Sequence, residues 1–233
     1  LINGQNTGRT LATGPSATVF SEIIDYRTLY VDIVSDSSAI TNAQIDLCDA
    51  NGVILCSLEY YGKDGNIAHY KAVSQINSNG SVTTFYLYVN GRNLGVTIND
   101  NLNENNNKAT VTYYTATINI NENGEGRKVP TSIYVDNGKD SYNVTTSTGS
   151  ASFSLIGYTD NLGKEIPYTV KIYDVIDNSA PLTLTSENKE LTYDFYTVTF
   201  KNYVGGDYTS PINYRQQSVR KGVKPMPVSD AYM

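Results

Sequence analysis

The chain has 233 residues and a mass of 25.6 kDa, is 39% hydrophobic and 17% charged, and carries a net charge of -6. That balance suits one large domain or two of ordinary size, and it excludes a disordered acidic chain, a charge-rich coiled coil and a mini-protein that needs staples. Tyr is abundant (20) and Trp absent, there is one His, and both methionines, Met226 and Met233, fall in the last eight residues.

Residues 1–16 contain three Gly and no acidic side chain, and read as an extended N-terminal arm. A first residue Leu rather than Met is compatible with a processed N-terminus, which would imply export, or with a start inside a longer chain. From residue 17 the pattern changes. Turn signals recur at Asp49–Gly52, Lys63–Asn66, Ser78–Gly80 and Asn90–Gly91, separated by runs rich in Val, Ile, Thr, Tyr and Phe. Gly and Asn accept the positive φ of hairpin turns, and β-branched and aromatic side chains suit a pleated surface, so residues 17–120 are expected to form a β-sandwich of seven or eight strands. In Val111–Ile120 the set Tyr114, Ala116, Ile118 and Ile120 shares one face, a period of two with no helical component. Only Asn66–Gln75 tolerates a helix, and it fits a strand equally well.

The polar stretch 121–130 holds two Gly and ends in Pro130, as a linker between domains does. Residues 131–204 then carry six or seven strands with turns at Asp136–Gly138, Ser147–Gly149 and Val204–Gly206. Tyr134–Gly138, Ser150–Leu155 and Tyr168–Tyr173 together resemble the immunoglobulin-like modules of microbial surface and virion proteins. The expected architecture is therefore all-β: two tandem antiparallel β-sandwiches, of jelly-roll or immunoglobulin-like kind, with extended terminal arms; one large sandwich with a long crossover is the alternative.

Residues 205–233 read as a second arm. They hold three of the seven Pro, and from Tyr214 onward Arg215, Arg220, Lys221 and Lys224 stand against Asp230, a local +3 that leaves -9 on the remainder. An acidic body is repelled by phosphates, so nucleic acid is not an expected partner of the folded part, and no apolar run is long enough to span a bilayer. Tyr214, Arg215, Arg220, Lys221, Lys224, Pro225 and Pro227 are the candidate residues for docking this arm on a neighbour.

Catalytic and metal constellations are not apparent. His69 stands alone in a strand-like run, and nucleophile-and-base chemistry ordinarily needs a partnered His. The carboxylate pairs Glu22 with Asp25 and Asp46 with Glu59 are no better placed for glycoside hydrolysis than any other acids. Asn99–Asn105 offers the oxygen ligands calcium favours but not the order of an EF-hand loop. Cys48 and Cys56 flank a hairpin turn; if Asp49 faces Val53, Cys48 faces Ile54 and Cys56 lies diagonally at roughly 7–8 Å, which favours two free thiols over a strained disulfide. Sequons occur at Asn79 and Asn143. No enzyme activity, cofactor or metal is expected. The leading expectation is a structural subunit of an extracellular, cell-surface or virion assembly (capsid, turret, fibre or surface filament) whose partners are copies of itself or other subunits; the alternative is an adhesin module binding a host receptor or glycan.

Overall fold

The computed structural model describes residues 25–75, 81–103, 105–160, 162–202 and 212–226. Among these the protein is all-β, with no helix. Two compact units divide it, Leu1–Thr112 and Tyr113–Met233.

The first unit contains β1 (Tyr26–Ser35), β2 (Ile45–Cys48), β3 (Ile54–Ser57), β4 (Glu59–Asp64), β5 (Ile67–Gln75), β6 (Thr84–Val89), β7 (Arg92–Asn99) and the start of β8 (Lys108–Glu122). The stretch that tolerated a helix is strand β5, paired antiparallel with β1 from Tyr26↔Gln75 to Val34↔Ile67 and with β4 on its other side. A second antiparallel sheet has the order β3-β2-β6-β7. Leu29, Val31 and Ile33 of β1, Ala68 and Tyr70 of β5, Ile45 and Leu47 of β2 and Leu87 and Val89 of β6 are buried. Each large aliphatic side chain removed from water contributes about 1.5–3 kcal/mol, so this alternating apolar set sets the register.

In the second unit the rest of β8 is followed by β9 (Glu125–Gly126), β10 (Thr131–Asp136), β11 (Ser141–Thr146), β12 (Ser150–Ile156), β13 (Tyr168–Ile172), β14 (Leu182–Leu184), β15 (Glu190–Asn202) and β16 (Ile212–Arg220). One sheet runs β11-β10-β13-β14; the other has β8 between β12 and β15, with β16 beyond β15. Tyrosine hydroxyls tie the two sheets together: Tyr193 on β15 donates to the Val170 carbonyl on β13, and Tyr168 on β13 donates to the Ile156 carbonyl on β12. Both rings are fully buried, as are Tyr70 and Tyr114, so Tyr supplies core volume as well as surface rings.

Among the described strand-to-strand ladders one is parallel. Glu190–Phe195 of β15 runs parallel to Thr117–Glu122 of β8, so the sheet is mixed rather than antiparallel throughout as expected. The long return from β8 through β9–β14 provides the crossover that a parallel pair needs. The stretch 121–130 lies inside the second unit and makes the tight β8–β9 turn, with Asn123 (φ 56°) and Gly124 (φ 87°) both left-handed. Between units the chain is uninterrupted strand. The buried residues of β8 are Ala109, Val111 and Tyr113, then Tyr114, Ala116, Ile118 and Ile120, so the buried face changes side at Tyr113–Tyr114, where the units divide.

Candidate functional site

Three local arrangements bear on function. In the first unit, the outward face of β1, β4 and β5 gathers the polar groups. His69 and Asp32 are cross-strand partners, and the imidazole Nδ1 lies 2.8 Å from Asp32 Oδ1. Lys108 Nζ lies 2.7 Å from Asp32 Oδ2. Burial alone would raise the Asp32 pKa, but hydrogen bonds and charge from Lys108 and His69 outweigh it and hold the carboxyl below its ordinary value. The Tyr61 ring packs on His69, with Lys71 Nζ 4.9 Å from its centroid and Tyr30 edge-on at 6.3 Å. The carboxylate orients the imidazole, as it would in a general base. Yet the groups around the ring are Asp32 and Tyr61, and among the described residues the His69 side chain makes no other hydrogen bond.

The other sequence candidates have structural roles. Asp46 is buried and accepts from Ser57 and Gln44, whereas Glu59 is exposed; Glu22 lies outside the described residues and Asp25 is exposed. Asp100 is buried and accepts from the Thr83 N–H at 2.7 Å and the Ser74 hydroxyl at 3.2 Å, closing its loop. No cluster of three or more His, Cys, Asp or Glu able to hold a metal occurs among the described residues. Cys48 faces Ile54 and Cys56 faces Leu47, and both thiols are free. Burial, followed by the nearby charges of Asp46 and Cys48, pushes the Cys56 thiol up to about 11. Asn143 sits exposed on β11, the edge of its sheet, and Asn79 lies outside the described residues.

The second arrangement is a bare apolar edge. Strand β3 ends its sheet, and Val53, Ile54 and Leu55 are 58%, 55% and 48% exposed.

The third is built from the basic C-terminal segment. Tyr214, Arg215 and Arg220 lie in β16, which pairs antiparallel with β15 from Phe195↔Arg220 to Asn202↔Ile212 and ends the sheet. Arg220 is engaged within its own unit: it bonds both Asp177 carboxylate oxygens at 2.9 and 3.2 Å, donates to Ser179, and stacks over the Tyr193 ring at 4.7 Å. Arg215, Lys221, Lys224 and Pro225 are exposed, and Pro227 lies outside the described residues. The Gln217 amide is buried and bonds both the N–H and the carbonyl of Met226, turning the following residues back onto the strand.

Among the described residues the outer edge of β16 is covered at one point. Ile176 N–H donates to the Ser218 carbonyl at 2.7 Å, and the Ile176 carbonyl accepts from Arg220 N–H at 3.0 Å, a parallel bridge one residue long. Asp174, at φ 62°, turns the chain so that only Ile176 reaches the strand. By the two-residue repeat the backbone groups of Gln216 point the same way, and no described backbone group meets them. A groove of about 350 Å³ lies there, lined by Asp174, Val175, Ile176, Arg215, Gln216, Gln217 and Ser218. Chemically this sets the outward backbone groups of Gln216 beside two aliphatic side chains and an exposed guanidinium, a place where an extended peptide could add. Hydropathy could not find it, because β16 has few apolar residues and shows its strand character only through its pairing with β15.

No family model and no curated protein matches the chain. Among solved structures, it is similar to the Bacillus anthracis TIE protein at 11% identity and a TM-score of 0.26, over 83% of this chain and 41% of that one. A leucine-rich repeat protein from Bacteroides thetaiotaomicron matches at 13% identity and a TM-score of 0.19, over 73% of this chain and 26% of that one. The chain thus spans less than half of either structure, and likenesses at these scores carry no argument about fold or function. No helix among the described residues is long and apolar enough to cross a membrane.

Proposed function

We propose that the protein is a non-enzymatic structural subunit of an extracellular or virion assembly, such as a capsid, turret, fibre or surface filament. In this reading its two units are tandem β-sandwiches, of jelly-roll or immunoglobulin-like kind, that serve as rigid bodies. Neighbouring subunits are held by strand addition at the open edge of β16. The observation that supports it is the uncovered stretch of β16 beside the Asp174–Ile176 turn, because an unpaired strand edge with a groove along it is a template for another chain.

A variant at that edge tests the reading. Gln216→Pro removes an outward N–H without touching the ladder to β15, so the subunit stays folded while the edge loses a donor and gains a ring. In light scattering over a concentration series, checked by electron microscopy, the parent chain is expected to self-associate and the variant to remain monomeric with an unchanged thermal transition. A parent chain that stays monomeric throughout, or a variant that assembles as well as the parent, would overturn it. A second reading, a receptor- or glycan-binding module, draws support from the exposed Tyr60 and Tyr61 beside Lys71. It requires saturable binding to a glycan array or cell surface by monomeric protein.

A further inference from the structure

The edge of β16 is selective. Its groove combines the aliphatic Val175 and Ile176 with the exposed cation Arg215, beside backbone groups that need a strand partner. A second copy of β16 brings it no opposite charge, since residues 212–220 hold Arg215 and Arg220 and no carboxylate. The complementary strand should be rich in β-branched or aromatic residues, lack Pro and Gly, and carry one carboxylate.

One segment of this chain outside the described residues meets all of these conditions. Residues 18–24 read Thr-Val-Phe-Ser-Glu-Ile-Ile, with Phe20, Glu22 and Ile24 on one face and Val19, Ser21 and Ile23 on the other. Glu22 is the only acidic residue among the first 24. The remaining stretches fit less well: 1–16 has three Gly and no acid, 76–80 ends in Gly80 and has no acid, 203–211 contains Gly205, Gly206 and Pro211, and 227–233 begins with Pro227.

We propose that residues 18–24 of a neighbouring copy add as a strand to β16 beyond Ile176, with Glu22 against Arg215. This rests on the assembly reading above and names its partner. The two surfaces are different, so the contact is heterologous and repeats from copy to copy, closing into a ring or running on as a filament. Only Asp25 separates the donated segment from β1, so the start of β1 in one copy abuts β16 of the next, which fixes the polarity of the series.

A charge swap in the full-length chain tests the proposal. Glu22→Arg and Arg215→Glu each place like charges at the contact, and each variant alone is expected to raise the concentration needed for assembly about tenfold or more at low salt. Mixed one to one, the two variants are expected to assemble again as an alternating series, because each copy then offers the other an opposite charge. Recovery on mixing requires exchange between copies, which a strand folded back within its own chain cannot give. The proposal is overturned if either single variant assembles like the parent, or if the mixture stays apart. Should the parent assemble while the swap has no effect, residues 18–24 are not the donor but the assembly reading stands. A parent chain that never assembles would remove both.

Discussion

Gly149 shows how local geometry constrains a single position. It turns the chain at φ 78° into β12, and a Cβ placed there would come within 2.7 Å of the Gly126 Cα and 2.8 Å of the Arg127 nitrogen. Those atoms are backbone and cannot swing aside. Gly149→Ala therefore combines a left-handed penalty with a steric clash and is expected to cost about 2–4 kcal/mol, read as a lowered midpoint in urea. Gly163→Ala, at the same φ but with nothing within 4 Å of the added carbon, is the control and should cost about 1 kcal/mol. Positions of this kind were legible in the sequence. Gly52, Gly65, Gly91, Gly138 and Gly149 all have positive φ where turn signals were read, because turn chemistry depends on a few adjacent residues.

Strands are joined by a polar network that sequence alone did not disclose. Arg127, 4% exposed, donates to Glu122 at 2.6 Å, to Ser218 at 2.7 Å and to Thr131 at 2.8 Å, linking β8 and β16 to the start of β10. Burial would raise the Glu122 pKa, but bonds from Ser218, Thr197 and Arg127 outweigh it and leave it lowered. A carboxyl lowered in the folded state adds stability above its unfolded pKa, and that stability is lost as pH falls through the folded value. The thermal midpoint should accordingly drop on acidification below about pH 4.5. Arg127→Met leaves Glu122 without its cation, so a loss of about 3–5 kcal/mol at neutral pH is expected, together with a shallower acid dependence. Equal acid slopes in parent and variant would contradict this role. Such networks are hidden in sequence because their members are 91 and 96 residues apart along the chain, as Ser218 is from Arg127 and Glu122. The parallel β8–β15 pairing was missed for the same reason. Strand β16 was read as an arm because its inward positions include Gln217, whose buried amide serves in place of a backbone group.

At the scale of the whole molecule, the all-β class was set by periodicity and turn spacing, while the contact division at Thr112–Tyr113 falls ahead of the polar stretch 121–130. Composition pointed to 121–130 because that stretch is polar and holds Gly and Pro. The informative mark was the run Tyr113-Tyr114, two adjacent aromatic residues that are both buried and therefore break the alternation of β8. An apolar pair at neighbouring positions of an otherwise strict two-residue repeat means that the strand changes the side on which it is covered.

That mid-strand change has a practical side for anyone taking the protein apart. Limited proteolysis seeks an extended, unpaired stretch of backbone, and Thr112–Tyr113 lies instead inside strand β8, where Tyr113 pairs with Ile156. A protease should not release the two units as separate resistant fragments by cutting there, and mass spectrometry of the digest would show whether it does. Expression of residues 1–120 alone would carry Tyr114, Ala116, Ile118 and Ile120 into water without the strands β12 and β15 that flank them, leaving an adhesive stub. Dissection at 112 removes that apolar stub from the first unit but strips the second of the strand continuity at its entry, so the two halves are best obtained by co-expression rather than by cleavage.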